Sequence, residues 1–145
     1  MVRRGDEHGE QQRRLYFSNK GITGKSVGRR CSNPACRKLT CGANTNPEKI
    51  TNIGVAAHIC AAAQGGPRYD ASMTPEERKS FENGIWLCQS CSKLIDTDIT
   101  RYPKELLQSW KQLAEQTAIL EVETTSSTPA FEKDKRACPI LFGVL

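Results

Sequence analysis

With 145 residues, 37% of them hydrophobic, the chain has material for one domain with a modest core and some tail. No apolar run approaches the roughly 20 residues that cross a bilayer, and the opening MVRRGDEHGE lacks the apolar middle of a secretory signal. A membrane partner is therefore not expected, and the cytoplasm is the expected location. The net charge of +5 is concentrated: residues 1–30 hold eight Lys or Arg against three acids, whereas residues 31–145 hold thirteen of each.

Taken in order, residues 1–30 read as a basic, weakly ordered N-terminal arm in which Leu15, Tyr16 and Phe17 form the one apolar cluster. Such an arm suits a polyanion, most simply a nucleic acid phosphate backbone, and Arg29 and Arg30 are its candidate contacts. A solvated tail explains the same charges. Asn33-Pro34 then signals a tight turn that would bring Cys31 and Cys36 to face one point. Residues 42–52 are polar and turn-rich. Residues 53–60 predict a strand with His58 near its end, and Gly65-Gly66-Pro67 predicts a loop. Thr74, Pro75 and Glu77 form a helix start, with Thr as N-cap, Pro first and Glu third. Asn83-Gly84 predicts the stop of that helix, a cap in which either residue tolerates positive φ.

Residues 85–87 predict a brief strand and residues 92–95 a second helix. From Pro103 on, Leu106, Leu107, Trp110, Leu113, Ala114 and Leu120 recur at helical spacing, so a long helix packs one face on the domain. After Glu123 the Ser, Thr and Pro content marks a linker, followed by the apolar ACPILFGVL. The expected organisation is an arm at 1–30, a domain at 31–123, and a linker with a short apolar tail at 124–145.

Seven cysteines is an odd number, and without an export signal metal ligation is a better reading than a disulfide framework. Structural zinc takes four ligands in a tetrahedron, and thiolates supply the charge and softness it favours. Cys31-x4-Cys36 and Cys88-x2-Cys91 form two such pairs with 51 residues between them. Buried free thiols are the simpler alternative. Cys41 lies as far from Cys36 as Cys31 does and could take its place. Cys60 and Cys138 read as small hydrophobes.

The segments CSNPACRKLT, GVAAHI, GGPRYD, TPEERKSFENGIWLC and CQSCSKLID, in that order, resemble an HNH endonuclease of the ββα-metal nuclease family. The likeness runs from about Cys31 to Leu113. It is nearest a subgroup similar to the nuclease modules of bacterial antiphage effectors, which are often fused to a sensor domain such as SAVED. The fold class this implies is α+β: a small ββα-metal (HNH) domain with a structural zinc site and a C-terminal amphipathic helix. The implied activity is metal-dependent DNA endonuclease, hydrolysing phosphodiester bonds with low sequence specificity. The first motif histidine falls on His58, the general base, and the motif asparagine on Asn83, which holds the loop bearing that histidine. The last motif histidine, a ligand of the catalytic Mg²⁺ or Mn²⁺, falls on Ser92. The residue before the first histidine, often another metal ligand, is Ala57.

Ser92 offers a neutral hydroxyl where the chemistry calls for an imidazole, so reduced or abolished cleavage is expected. Asp96, one helical turn on, is the substitute carboxylate, with Asp98 a weaker one. Arg68, in GGPRYD, is a candidate phosphate contact. DNA is the expected partner, mainly through its backbone, alongside a second copy of the chain or a sensor partner. Two other functions compete: a non-catalytic zinc-stabilised nucleic-acid-binding module, and a protein-interaction module docking through the Pro103 helix and the apolar tail.

Overall fold

The computed structural model describes residues 20–124. The Leu15–Phe17 cluster, Cys138 and the tail beyond residue 124 lie outside the described residues. Helical residues 20–25 (α1) lead into a turn in which Gly28 and Arg29 both take positive φ. Thr23 is 3% and Val27 2% exposed, and Val27 packs with Trp86 and Ala114. The expected boundary at residue 31 is thus corrected. Residues 20–30 join the folded unit because Val27 is anchored in its core, despite the charge around it.

The polar stretch that read as turns holds a hairpin. β1 (Cys41–Ala43) pairs antiparallel with β2 (Ile50–Asn52), Cys41 opposite Asn52. Its turn is built by Asn side chains, Asn46 N donating to Asn44 Oδ1 at 2.9 Å and Glu48 N to Asn46 Oδ1 at 2.9 Å. Both strands are largely exposed, so they carry no apolar alternation for sequence patterning to detect.

The second sheet positions the site. β3 (Gly54–His58) pairs antiparallel with β4 (Gly84–Cys88), Gly54 opposite Cys88 and His58 opposite Gly84. A Cβ at Gly54 would collide with the Trp86 indole, so only glycine lets β3 approach here. Helix α3 (Gln89–Thr97) follows β4 directly, starts three residues earlier than the spacing predicts, and packs on both strands. β3, β4 and α3 thus pack together as an antiparallel strand pair and a helix. Ile59, Ile85, Leu87, Ile95 and Leu107 are at most 1% exposed and fill the space between them. Burying each such side chain contributes roughly 1.5–3 kcal/mol.

Between β3 and β4 lies α2 (Pro75–Lys79), whose capping box forms as predicted: Glu77 N donates to Thr74 Oγ1 at 3.2 Å and Thr74 N to Glu77 Oε2 at 2.7 Å. Its end does not. The helix stops at Lys79, a 3-10 turn spans Phe81–Asn83, and Gly84 has φ −107°. Neither Asn83 nor Gly84 takes positive φ. The Asn83 side chain reaches across the fold to Cys60 and also back to Arg78 O in the last turn of α2.

α4 (Lys104–Glu123) lies against β4. Its buried face is Leu107, Lys111 and Ala114, while Leu113 and Leu120 are 51% and 57% exposed. The expected stripe is therefore rotated, because a lysine occupies the position between the two buried apolar residues. Among the described residues, no helix is long and apolar enough to cross a membrane.

Candidate functional site

The first cysteine pair is shaped by its turn. Cys36 N and Arg37 N both donate to Asn33 O, at 2.9 and 3.0 Å, and Ala35 N donates to Asn33 Oδ1 at 3.0 Å. Cys31 N bonds to Lys38 O at 2.9 Å, and Ser32 N to Trp86 O at 2.9 Å, which seats the turn against β4. Cys88 ends β4 and caps α3, its Sγ accepting from Cys91 N at 3.5 Å. The sulfurs of Cys31, Cys36, Cys88 and Cys91 all lie within 4.8 Å of one another, with Cys36 and Cys88 3.9 Å apart.

A tetrahedral site with metal–sulfur bonds of about 2.3 Å spaces its sulfurs roughly 3.8 Å apart. The cluster therefore has the size and donor set to hold a metal ion such as zinc. Cys41 lies outside it in β1, so the alternative pairing resolves to Cys31. Burial raises the Cys31 and Cys91 thiols. Burial acts the same way on Cys88, but the Cys91 N–H and the neighbouring thiols together pull it below its ordinary value. Asn33 Nδ2 also approaches Cys91 Sγ at 3.4 Å, an outer contact of the kind that orients a metal ligand.

His58 closes β3, half-buried, and lines a small recess with Lys20, Thr23, Ala57, Lys79 and Ser80. The chain just beyond it is stapled by Asn83, itself 5% exposed. Asn83 O accepts from Ile59 N at 2.9 Å. Its side chain takes Cys60 N on Oδ1 and gives Nδ2 to Cys60 O and Arg78 O, each at 2.9 Å. Four backbone groups around the histidine-bearing turn and α2 are thus fixed by this one residue. Burial holds the His58 imidazole below its ordinary 6.5, the Lys20 charge acts in the same direction, and the Asp96 carboxylate opposes both.

Across from β3, α3 carries Ser92, half-buried, and Asp96 one turn later. Asp96 Oδ1 is 2.7 Å from Arg68 Nη2, with the side chains 43% and 5% exposed respectively. Arg68, at φ 53°, also donates Nε to Ile59 O at 2.7 Å and Nη1 to Ile95 O at 2.7 Å and Tyr102 O at 3.4 Å. Four of the five guanidinium donors are spent inside the protein. The expectation that Arg68 contacts phosphate is corrected: it is an internal tie between the His58 turn and α3. Asp98 caps α3 and accepts Arg101 N at 3.1 Å.

Compared with known proteins, the chain matches no family model and no curated sequence.

Of the other basic candidates, Arg30 is exposed and bridges Leu39, whereas Arg29 is half-buried with its guanidinium 5.2 Å from the Trp86 ring centroid. Spacing gives no sign of Lys20, Lys79, the contact of Asn33 with Cys91 or the internal role of Arg68. Each acquires its place through contacts distant in sequence, where neither periodicity nor motif spacing carries information.

Proposed function

We propose that this chain is an HNH-type DNA endonuclease module, using His58 as general base on a scaffold held together by structural zinc. The observation that supports it best is the Asn83 staple, which fixes the turn after His58 in a recess that Lys20 and Lys79 make basic. The packing of α3 on the β3–β4 pair is in keeping with the family resemblance. The zinc fits: Cys31, Cys36, Cys88 and Cys91 would hold it and lock the first turn to β4 and α3.

Hydrolysis needs a water deprotonated near neutral pH. A depressed imidazole pKa keeps His58 neutral there, able to take the proton as the water oxygen bonds to phosphorus. The bond from phosphorus to the departing ester oxygen then breaks, and that oxygen leaves as an alcohol by taking a proton from solvent water, while the His58 imidazolium returns its proton to solvent. Lys20 and Lys79 place positive charge beside the phosphate. The sequence offers no extended recognition helix or repeat of base-reading fingers, so backbone contacts dominate and sequence specificity is low.

A divalent cation such as Mg²⁺ or Mn²⁺, when bound, supplies charge stabilisation to the phosphate and leaving oxygen. The residues offered to it are Ser92 and Asp96. One is a neutral hydroxyl, and the other already shares an oxygen with the Arg68 cation. This set does not fit tight retention of a catalytic cation. Slow cleavage is the consequence. The test is plasmid cleavage in Mg²⁺ or Mn²⁺ by the parent, Ser92→His and His58→Ala. Activity should rise with the histidine and disappear with the alanine; cleavage indifferent to His58→Ala would sink the assignment.

The same thin donor set favours a second reading, a zinc-stabilised nucleic-acid-binding module without catalysis. It predicts salt-sensitive DNA binding and no cleavage under any metal. A role in antiphage defence, with a second copy or a sensor partner, rests on the sequence resemblance.

A further inference from the structure

Lys111 sits in the middle of α4 and is 5% exposed. A lysine at such depth is rare, because removing its charge from water costs several kcal/mol unless it is paired. Its ammonium is well supplied. Nζ donates to Phe81 O at 2.6 Å and Gly84 O at 2.8 Å, lies 3.5 Å from the centroid of the Phe81 ring, and is 3.5 Å from Glu115 Oε1. Leucine or methionine would fill the same groove against β4 without desolvation. Packing alone does not call for a lysine.

What the ammonium holds is specific. Phe81 and Gly84 bracket Asn83, so their carbonyls fix the two ends of the turn from which Asn83 reaches Ile59 and Cys60. One line of hydrogen bonds therefore runs from α4, through the 3-10 turn and Asn83, to the two residues after His58. We propose that Lys111 is a positioning residue for His58, setting the imidazole through Asn83 from the far side of β4. The inference rests on His58 being the general base proposed above. It adds that α4 completes the site and is more than a packing element.

The test uses the full chain and two readouts. In Lys111→Met, amide hydrogen exchange at Ile59 and Cys60 should speed by about tenfold or more relative to Ile85 and Leu87. In plasmid cleavage with Mn²⁺, in the Ser92→His background, kcat should fall about 10–100-fold with KM unchanged, the scale of a slightly misplaced catalytic group. Lys111→Gln, which keeps an N–H donor, should recover part of both, and it serves as the second variant should the methionine chain fail to fold. Exchange at Ile59 and Cys60 that merely keeps pace with Ile85 and Leu87, or an unchanged kcat, overturns the proposal. Absence of cleavage in every Lys111-containing chain overturns the nuclease reading instead, and the exchange ratio still decides whether Lys111 holds the turn.

Discussion

An imidazole serves as a base only while it is unprotonated, and His58 is built to stay so. Burial holds it below 6.5, Lys20 adds to this and Asp96 opposes it. The pH profile of kcat/KM is therefore expected to rise with a bend below pH 6.5 and to be flat above it. A bend that lies above 6.5 would count against His58 as the base. Linkage gives the sign for stability: the unfolded chain takes up the His58 proton first as pH falls. The contribution from the neutral imidazole is whole above 6.5 and lost as pH falls through the folded-state value. Denaturant titrations at pH 7.5 and 5.5 should show a larger drop for the parent than for His58→Ala.

Asn83 is expected to matter for stability as well as for the proposed cleavage. Asn83→Ala leaves Cys60 N, Cys60 O and Arg78 O without their partners. A loss of about 2–4 kcal/mol is expected, the scale of orphaning buried polar groups, together with loss of cleavage. Arg68→Ala should be similarly destabilising, by about 3 kcal/mol, because three carbonyls lose a donor. If Arg68 instead served DNA, its removal would weaken binding and leave the denaturation midpoint unchanged.

Secondary-structure elements here are short, and most hold their places through links that are distant in sequence. The first cysteine turn meets β4 and α3 at four sulfurs within 4.8 Å, and a zinc ion there would lock these three elements together. Structural zinc in small modules carries roughly 10–16 kcal/mol of apparent binding free energy, comparable to or larger than the ~5–15 kcal/mol stability of a whole domain. Chelation is therefore expected to unfold the protein cooperatively, seen as loss of helical circular dichroism with release of one zinc per chain. Retained helicity after complete metal removal would make the cluster a set of packed thiols.

Charge looks different once the chain is folded. Of the basic excess in residues 1–30, residues 1–19 hold four basic and three acidic side chains, while residues 20–30 hold four basic and no acidic ones. The net positive charge thus belongs mainly to α1 and the turn after it, where Lys20 lines the His58 recess. Deleting residues 1–19 should leave most of the salt dependence of DNA binding in place. Lys20→Ala and Arg30→Ala should each lower the slope of log K against log salt by about one. A slope that collapses with the deletion would return the binding role to the arm.

Local chemistry was readable directly. The Thr74 capping box, the Asn33-Pro34 turn, the two cysteine pairs and the strands around His58 and Trp86 depend on residues a few positions apart, so their patterns survive in one dimension. Asn83 shows the limit of that reading. Its neighbours fit a helix cap, yet the side chain bonds to Cys60, 23 positions away. Arg68 and residues 20–30 show the same limit: charged side chains look solvated in sequence, and only packing reveals a cation, such as Arg68 or Lys111, whose donors are met by backbone carbonyls. Folding decides which polar groups leave water, because that choice depends on partners brought together from all along the chain.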